Sequence, residues 1–332
     1  MNKHEQAVAS LKQSIAIDST NSDAWFDLGR AHTGLSQYEE ARIAYTAALD
    51  QESELIPALI NRAYVNLRLN QPAAAKEDAI AATELDPLSW AGFVNLADSC
   101  AQLGEHGKAA LNYSILLGMA NADDDKANAQ TLRDFTVGRG DAYLNRGEYE
   151  KAANDYRTAL KLSETGNTHH ALGHCLLQLG KLDEAIKHTS TAIDTSPQPR
   201  SFRTRGRAYR LLGRFTKAAA DFETSLKTEP DSLMGLVNLA LIRVASPHDG
   251  DRDPSAAEQL CDKLAGQLSD NIEVSALRSL IAAQKDDSIT VARSLESLRE
   301  LTEASKEPVP LWIKEAIAML ETGSPFRLKA RP

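Results

Sequence analysis

Residues 25–50 read WFDLGRAHTGLSQYEEARIAYTAALD, and their side-chain pattern returns along the chain at a fixed step. Three columns recur every 34 positions: Trp25, Leu59 and Phe93; Gly29, Ala63 and Ala97; and Ala41, Ala75 and Ala109. Further along, Gly140, Gly173, Gly206 and Ala240 fall 33, 33 and 34 positions apart. Such a period indicates one supersecondary unit copied in tandem, whose copies stack because none can bury its apolar face alone.

The quoted stretch predicts two helices separated by a break over residues 34–38. On the first helix, one face carries Trp25, Leu28, Gly29 and His32 at the spacing of an amphipathic helix. On the second, the inner face carries Ala41, Tyr45 and Ala48. We expect the small residues of the Gly29 and Ala41 columns to let the two backbones approach. The remaining space is then filled by large residues: Tyr45, Tyr113, Tyr156 and Phe222.

This pattern resembles the tetratricopeptide repeat (TPR) family. Similar stretches are GRGDAYLNRGEYEKAANDYRTAL (138–160) and GRAYRLLGRFTKAAADFETSLKTEP (206–230), and the resemblance covers roughly residues 4–300. It implies an all-α fold, a right-handed superhelical α-solenoid of about seven to eight helix-turn-helix repeats with a C-terminal capping helix.

The repeat spacing divides the chain into five parts. Residues 1–20 form an N-terminal half-repeat cap, 21–123 repeats one to three, 124–267 repeats four to seven, 268–302 a degenerate repeat, and 303–332 a capping helix and tail. The fourth repeat is expected to begin near residue 133, after extra residues that include Asp123–Asp125. The half-repeat either packs on the first repeat as a cap or leaves an open end for a homodimer. It also raises the alternative that the chain belongs to a longer parent protein.

Composition narrows the class of protein. The 332 residues include 37 Lys and Arg and 46 Asp and Glu, and the net charge of −9 argues against non-specific nucleic-acid binding. Apolar runs long enough for a membrane span and an apolar leader are both missing from the sequence. Cys100, Cys175 and Cys261 are scattered singly on apolar helical faces, which predicts reduced core thiols and a cytoplasmic protein.

Metal and catalytic sites are not predicted. The aspartates of 249–253 resemble a calcium loop, but Pro254 stands where the turn glycine is needed. His170 and His174 at i, i+4 form a pair without a clear third metal ligand. We therefore expect no cofactor, no metal and no catalytic residues.

A basic helix is the first candidate for a functional site. Seven positive residues and no acid lie between Thr195 and Ala220, and four of them share one stripe: Arg200, Arg203, Arg207 and Arg210. In the TPR family the first helix of each repeat lines the concave groove, so the resemblance implies that this arginine stripe faces a partner. Arginine suits acidic side chains, a C-terminal carboxylate or a phosphate. His170 and His174 on the preceding first helix would flank the stripe and make binding pH-sensitive.

The alternative is that neighbouring acids neutralise the stripe. Four acidic residues are available on second helices nearby: Asp183, Glu184, Asp221 and Glu223. In that case the stripe is a solvated face.

Asparagines are the second candidate. Residues 94–97 and 237–240 are both VNLA, and Asn61 fills the place equivalent to Asn95. This set, Asn61, Asn95 and Asn238, resembles the asparagine ladder with which one branch of the family holds an extended peptide backbone. Apolar groove contacts would come from Phe26 and Tyr64. Alternatively, the amides bond neighbouring helices or water.

Together these features predict a noncatalytic scaffold or adaptor for protein–protein interaction. It would bind an extended or acidic peptide segment, or a C-terminal one, in the concave groove. Two alternatives remain: a substrate-recruiting or regulatory repeat region of a larger enzyme, associated with glycosyltransferase or kinase activity, and RNA binding through the basic helix, for which the stacking aromatics are few.

Overall fold

The computed structural model describes residues 2–122, 128–267, 271–285, 287–305, 308–322 and 326–329. In these ranges the chain forms eighteen α-helices, one short 3-10 helix at Asp249–Asp251, and no strand. The helices are α1 (Asn2–Ile17), α2 (Ser22–Gly34), α3 (Tyr38–Gln51), α4 (Ile56–Arg68), α5 (Pro72–Leu85), α6 (Trp90–Gln102), α7 (His106–Ala122), α8 (Ala129–Asn145), α9 (Tyr149–Leu162), α10 (Gly166–Gln178), α11 (Leu182–Thr195), α12 (Pro199–Leu211), α13 (Phe215–Thr228), α14 (Leu233–Ala245), α15 (Pro254–Gln267), α16 (Ile272–Gln284), α17 (Ser288–Ala304) and α18 (Leu311–Glu321).

The helices group into two compact units, Met1–Glu164 and Thr165–Pro332. In the first unit, α2–α9 form four helical hairpins, and each helix from α2 to α9 packs against its neighbour in the chain. The first helices of successive hairpins also touch, α2 against α4 and α4 against α6. The N-terminal helix α1 packs on α2, where Val8, Leu11 and Ile15 meet Ala24 and Leu28.

The second unit repeats the arrangement with the hairpins α10/α11, α12/α13, α14/α15 and α16/α17, and with α18 packed on α16. Phe326 and Leu328 of the C-terminal segment are buried in the core around α14. The Leu328 N–H donates a 2.8 Å hydrogen bond to the carbonyl of Ala245, at the last residue of α14. The predicted all-α fold of stacked helical hairpins is thus confirmed in each unit.

A small residue on the first helix admits a large one on the second, as the repeat columns predict. A Cβ atom added to Gly29 would lie 2.5 Å from the Tyr45 ring, and one added to Gly206 would lie 3.1 Å from Phe222. Tyr45 and Phe222 are fully buried as a result. Tyr113 behaves differently, because its ring also covers Gly138 of the following repeat, while its hydroxyl donates to Asp98 of its own first helix.

In the hairpins from α2/α3 to α12/α13, the turn uses a residue with positive φ. Six successive repeats place one there: Ser36, Asn70, Gly104, Gly147, Gly180 and Gly213, with φ between 57° and 74°. The residue that follows donates its N–H back into the first helix, as Lys181 does to the Leu176 carbonyl at 2.9 Å. This is the Schellman arrangement, in which a left-handed residue closes a helix and satisfies its last carbonyls.

Further expectations from the sequence can be compared with the structure. Cys100, Cys175 and Cys261 are free and buried, as predicted. The fourth repeat begins at Ala129, earlier than expected, because the Asn128 side chain caps α8 by accepting a 2.8 Å bond from the Thr131 N–H. The acidic run Asp123–Asp125 lies outside the described residues. In the described part of the chain, none of the helices combines the length and apolar character that crossing a bilayer requires.

Candidate partner-binding site

The basic residues of α12 divide into those that hold the fold together and those that line a cavity. Arg205 belongs to the first group. It donates from Nε and Nη2 to the Asp221 carboxylate of α13, at 2.9 and 2.7 Å, and from Nη1 to the Ser190 hydroxyl of α11 at 3.1 Å. The guanidinium therefore joins three helices of two successive hairpins.

We call this arrangement, in which one arginine binds an aspartate and a hydroxyl of two other helices, a three-helix clip. It occurs in two other repeats. Arg62 contacts Asp78 and Thr46, and Arg139 contacts Asp155 and Ser114, with the same two arginine–carboxylate distances of 2.9 and 2.7 Å. The repeats on either side carry leucine at the arginine position: Leu28, Leu96, Leu172 and Leu239. Sequence analysis missed these clips, although the spacing of 16 between arginine and aspartate was visible in all three repeats.

The first half of the arginine stripe is tied to neighbouring groups. Arg200 donates to the Asn167 side-chain oxygen at 2.8 Å. Arg203, whose side chain is 16% exposed, forms an ion pair with Glu229 and donates to the Ser225 hydroxyl at 3.1 Å. These contacts fix the beginning of α12 against the hairpin that precedes it and the end of α13.

Three of the four acids expected to neutralise the stripe pair with other arginines, and the fourth, Glu184, also interacts with another group of the chain. Asp221 binds Arg205, Asp183 lies 3.3 Å from Arg214, and Glu223 pairs with Arg243. None of these three arginines belongs to the stripe. Glu229, which pairs with Arg203 of the stripe, was not among the expected acids.

The second half of the stripe lines a cavity of about 900 Å³. Arg207 and Arg210 stand on its α12 side, and both also interact with other groups of the chain. The remaining lining comes from the end of α12, from α14, α16, α18 with the residue before it, and from the C-terminal segment: Leu211, Met234, Val237, Asn238, Leu241, Glu273, Pro310, Leu311, Trp312, Glu315, Leu328 and Lys329.

The two histidines beside the stripe are uncharged at neutral pH. Burial, together with the charges of Arg200, His174 and Arg203, lowers the pKa of His170 to about 4. Burial and Arg207 also lower the pKa of His174. The pH sensitivity of binding stays a prediction, and the lowered pKa values place the protonation of these histidines below neutral pH, because a desolvated imidazole among guanidinium groups takes up a proton only in acid.

The asparagines do not form one ladder. Asn95 is buried in the first unit, and its amide donates to the Ile60 carbonyl at 2.8 Å, which ties α6 to α4. Asn61 is half-buried on α4. In the second unit, Asn238 donates to the Met234 carbonyl at 2.8 Å and lines the cavity with the arginines. Asn238 is thus the member of the set that shares a site with the stripe.

The predicted apolar groove residues lie in the first unit. The Phe26 ring meets Tyr45 at 5.9 Å between centroids, and the Arg30 guanidinium lies 5.8 Å from the Phe26 centroid. Tyr64 is 42% exposed on α4. These side chains offer apolar contact on the first helices, separately from the cavity of the second unit.

The other polar clusters are structural. Asp251, in the loop before α15, is buried and accepts from the Thr216 and Ser246 hydroxyls at 2.9 and 3.2 Å. His169 and His188 stack with their Nδ1 atoms 3.0 Å apart. Among the residues that the structure describes, no group of three or more His, Cys, Asp or Glu side chains is placed to hold a metal ion.

Comparison with known proteins agrees with this architecture. Three family models described as tetratricopeptide repeat match the chain, one at residues 1–59, one at 60–125 and 137–198, and one at 204–232. Among solved structures, a tetratricopeptide repeat protein from Parabacteroides merdae is 18% identical with a TM-score of 0.55, covering 80% of this chain and 98% of its own. PilF from Pseudomonas aeruginosa is 17% identical with a TM-score of 0.52, covering 66% of this chain and 96% of its own. No curated protein matches the chain significantly. At these identities the structural likeness concerns the fold.

Proposed function

Because the chain belongs to the tetratricopeptide repeat family, we propose that it is a noncatalytic scaffold for protein–protein interaction. In this proposal the cavity lined by α12, α14, α16, α18 and the C-terminal segment holds a peptide segment of another protein. Tandem helical repeats present extended surfaces of this kind to their partners.

One observation carries the proposal: Arg207, Arg210 and Asn238 line the same cavity as the apolar side chains of Val237 and Leu241. A guanidinium binds a carboxylate through two parallel hydrogen bonds, and a side-chain amide both donates to and accepts from a peptide unit. Apolar side chains beside these groups supply the area that a bound segment buries. The combination suits a peptide better than a fully polar ligand.

We assign different roles to the two halves of the stripe. Arg207 and Arg210 contact the partner, whereas Arg200 and Arg203 position α12 through Asn167, Ser225 and Glu229. The partner group at the arginines is an acidic side chain or a C-terminal carboxylate. Binding that depends on such charges weakens as salt is added.

A photo-crosslinking amino acid at Met234 tests the proposal. Met234 lines the cavity and is 44% exposed, so a bulky aromatic replacement fits there without entering the core. The protein would be expressed in its native host, irradiated, and the crosslinked segment identified by mass spectrometry. We expect one defined segment to be captured.

Two charge reversals make the crosslinking experiment selective. Arg207→Glu changes a cavity residue, and Arg214→Glu makes the same charge change at an exposed residue that pairs with Asp183. Capture should be lost in the first variant and kept in the second. Equal capture by both variants would contradict a binding role for the cavity.

A further inference from the structure

The cavity that Arg207 and Arg210 line carries opposite charges on opposite sides. The arginines stand on α12, whereas Glu273 lies in the first turn of α16 and Glu315 lies on α18. Helix α14 packs against both α12 and α16, and therefore runs between the arginines and Glu273, while α18, which carries Glu315, packs on α16. Lys329 of the C-terminal segment adds one more cation to the lining.

The space between the two charged sides is apolar. Val237 and Leu241 project from α14, Trp312 from α18, and Leu328 from the C-terminal segment. The volume of about 900 Å³ lies within the range of roughly 300–1,000 Å³ in which proteins bind small ligands and short segments. A large apolar side chain therefore has a place between the charged groups.

The glutamate on α16 is poorly solvated. Burial raises the pKa of the Glu273 carboxyl, because the charged form loses hydration. A cationic group placed beside this carboxylate would restore part of that lost stabilisation. On the other side, a guanidinium group can bind an anion through two parallel hydrogen bonds, which suits an acidic side chain.

The chain itself supplies an example of a segment bound at this place. Residues 326–328, Phe-Arg-Leu, bury both apolar side chains against the core around α14, and Leu328 forms part of the cavity wall. The backbone of Leu328 bonds the Ala245 carbonyl at 2.8 Å. A short segment that alternates apolar and charged side chains is thus compatible with this end of α14.

We infer that the cavity recognises a mixed-charge peptide segment, in which an acidic residue and a basic residue stand on either side of large apolar side chains. This inference rests on the proposed function and narrows it. A purely acidic segment would bring negative charge against Glu273 and Glu315, which costs binding free energy through like-charge repulsion. A mixed segment can place its acidic residue near Arg207 and Arg210 and its basic residue near Glu273 and Glu315.

Defined synthetic peptides test the inference. The probes are two capped, fluorescein-labelled peptides of opposite charge order, Glu-Ala-Leu-Leu-Ala-Lys and Lys-Ala-Leu-Leu-Ala-Glu. The comparison peptides carry Glu at both charged positions or Gln at both. Fluorescence anisotropy with the full chain should show one mixed order binding at least about tenfold more tightly than either comparison peptide, a difference near 1.4 kcal/mol.

Charge variants assign the binding to the two sides of the cavity. Arg207→Glu and Glu315→Lys should each weaken the mixed peptide by about tenfold, whereas the exposed controls Arg214→Glu and Glu300→Lys should not. The double variant Arg207→Glu with Glu315→Lys should shift the preference toward the other charge order. Circular dichroism of each variant checks that the helices are retained.

Two results would overturn the inference. One is tight binding of the doubly acidic peptide that Glu315→Lys strengthens further, which would make the cavity a simple anion site. The other is failure of both mixed peptides to bind. Either result can occur together with Arg207-dependent crosslinking at Met234, so the inference can fail while the proposed function stands. Loss of that crosslinking is what would contradict the proposed function itself.

Discussion

The Arg62 guanidinium donates two hydrogen bonds to the Asp78 carboxylate, from Nε at 2.9 Å and from Nη2 at 2.7 Å. Asp78 is buried, with its side chain 8% exposed, and the arginine is 23% exposed. The pair recurs at Arg139 and Asp155 with the same geometry. These clips connect the two helices of a hairpin to each other and to the second helix of the hairpin before.

We predict that Asp78→Ala alone lowers the free energy of unfolding by about 2–3 kcal/mol, because it leaves a half-buried guanidinium without its counter-ion. In the first repeat, the positions equivalent to Arg62 and Asp78 hold the buried apolar residues Leu28 and Ala44. The double variant Arg62→Leu with Asp78→Ala copies that apolar pair at these two positions, while Asn66, whose amide donates to Asp78 at 3.3 Å, loses this bond in both variants. The double variant should therefore regain part of the stability that Asp78→Ala loses. Urea unfolding followed by circular dichroism measures both values, and a double variant no more stable than Asp78→Ala would contradict the explanation.

The hairpin turns give a second prediction, concerning backbone conformation. Ser36 has a φ of 57°, where glycine fits without strain and serine does not. We expect Ser36→Gly to raise the free energy of unfolding by about 1 kcal/mol. Gly180→Ala, at the equivalent turn with a φ of 74°, should lower it by about 1–2 kcal/mol. The midpoint temperatures of thermal unfolding of the two variants should shift in opposite directions from that of the wild type. Shifts in the same direction would refute the strain argument.

The lowered pKa of His170 predicts how the free energy of unfolding depends on pH. Its pKa is about 4 in the folded chain and near 6.5 when unfolded, so the unfolded state binds the proton first. The contribution of His170 to the free energy of unfolding is therefore fully present above pH 6.5. It is lost as the pH falls toward 4, and the loss is about 3 kcal/mol at most. His170→Gln removes that loss without removing the polar side chain.

Urea unfolding at pH 7.5 and at pH 4.5 compares the two proteins. The difference in stability between the two pH values should be smaller in His170→Gln than in the wild type, since the carboxylates titrate alike in both. Equal differences would show that His170 protonates at its ordinary pKa. Partner binding should also change little between pH 7 and pH 8, because the lowered pKa values keep both histidines largely neutral there.

The fold was predictable because its determinants are local and repeated. The Gly29 column and the buried Tyr45 stand at fixed positions within each unit, and residues 34–38 mark the turn at Ser36. The pairing of Arg205 was not predicted, although its 16-residue separation from Asp221 repeats elsewhere in the chain. A periodic pattern is visible in a sequence whenever both partners lie in the same unit.

The site was less predictable because its partners come from distant parts of the chain. Arg203 meets Glu229 only after α12 and α13 have packed, and Glu315 reaches the cavity only because α18 docks on α16. Neither contact has a repeated spacing that sequence analysis could use. The pKa of His170 likewise depends on burial and on arginines of the next hairpin. Packing between repeats, rather than the pattern within one, decides these features.

Isothermal titration calorimetry of the segment captured at Met234 tests the central claim most directly. The account predicts that Arg207→Glu weakens binding at least about tenfold, or near 1.4 kcal/mol, while Arg214→Glu changes it less than about twofold. Equal affinities for the wild type, Arg207→Glu and Arg214→Glu would show that the partner binds elsewhere on the chain.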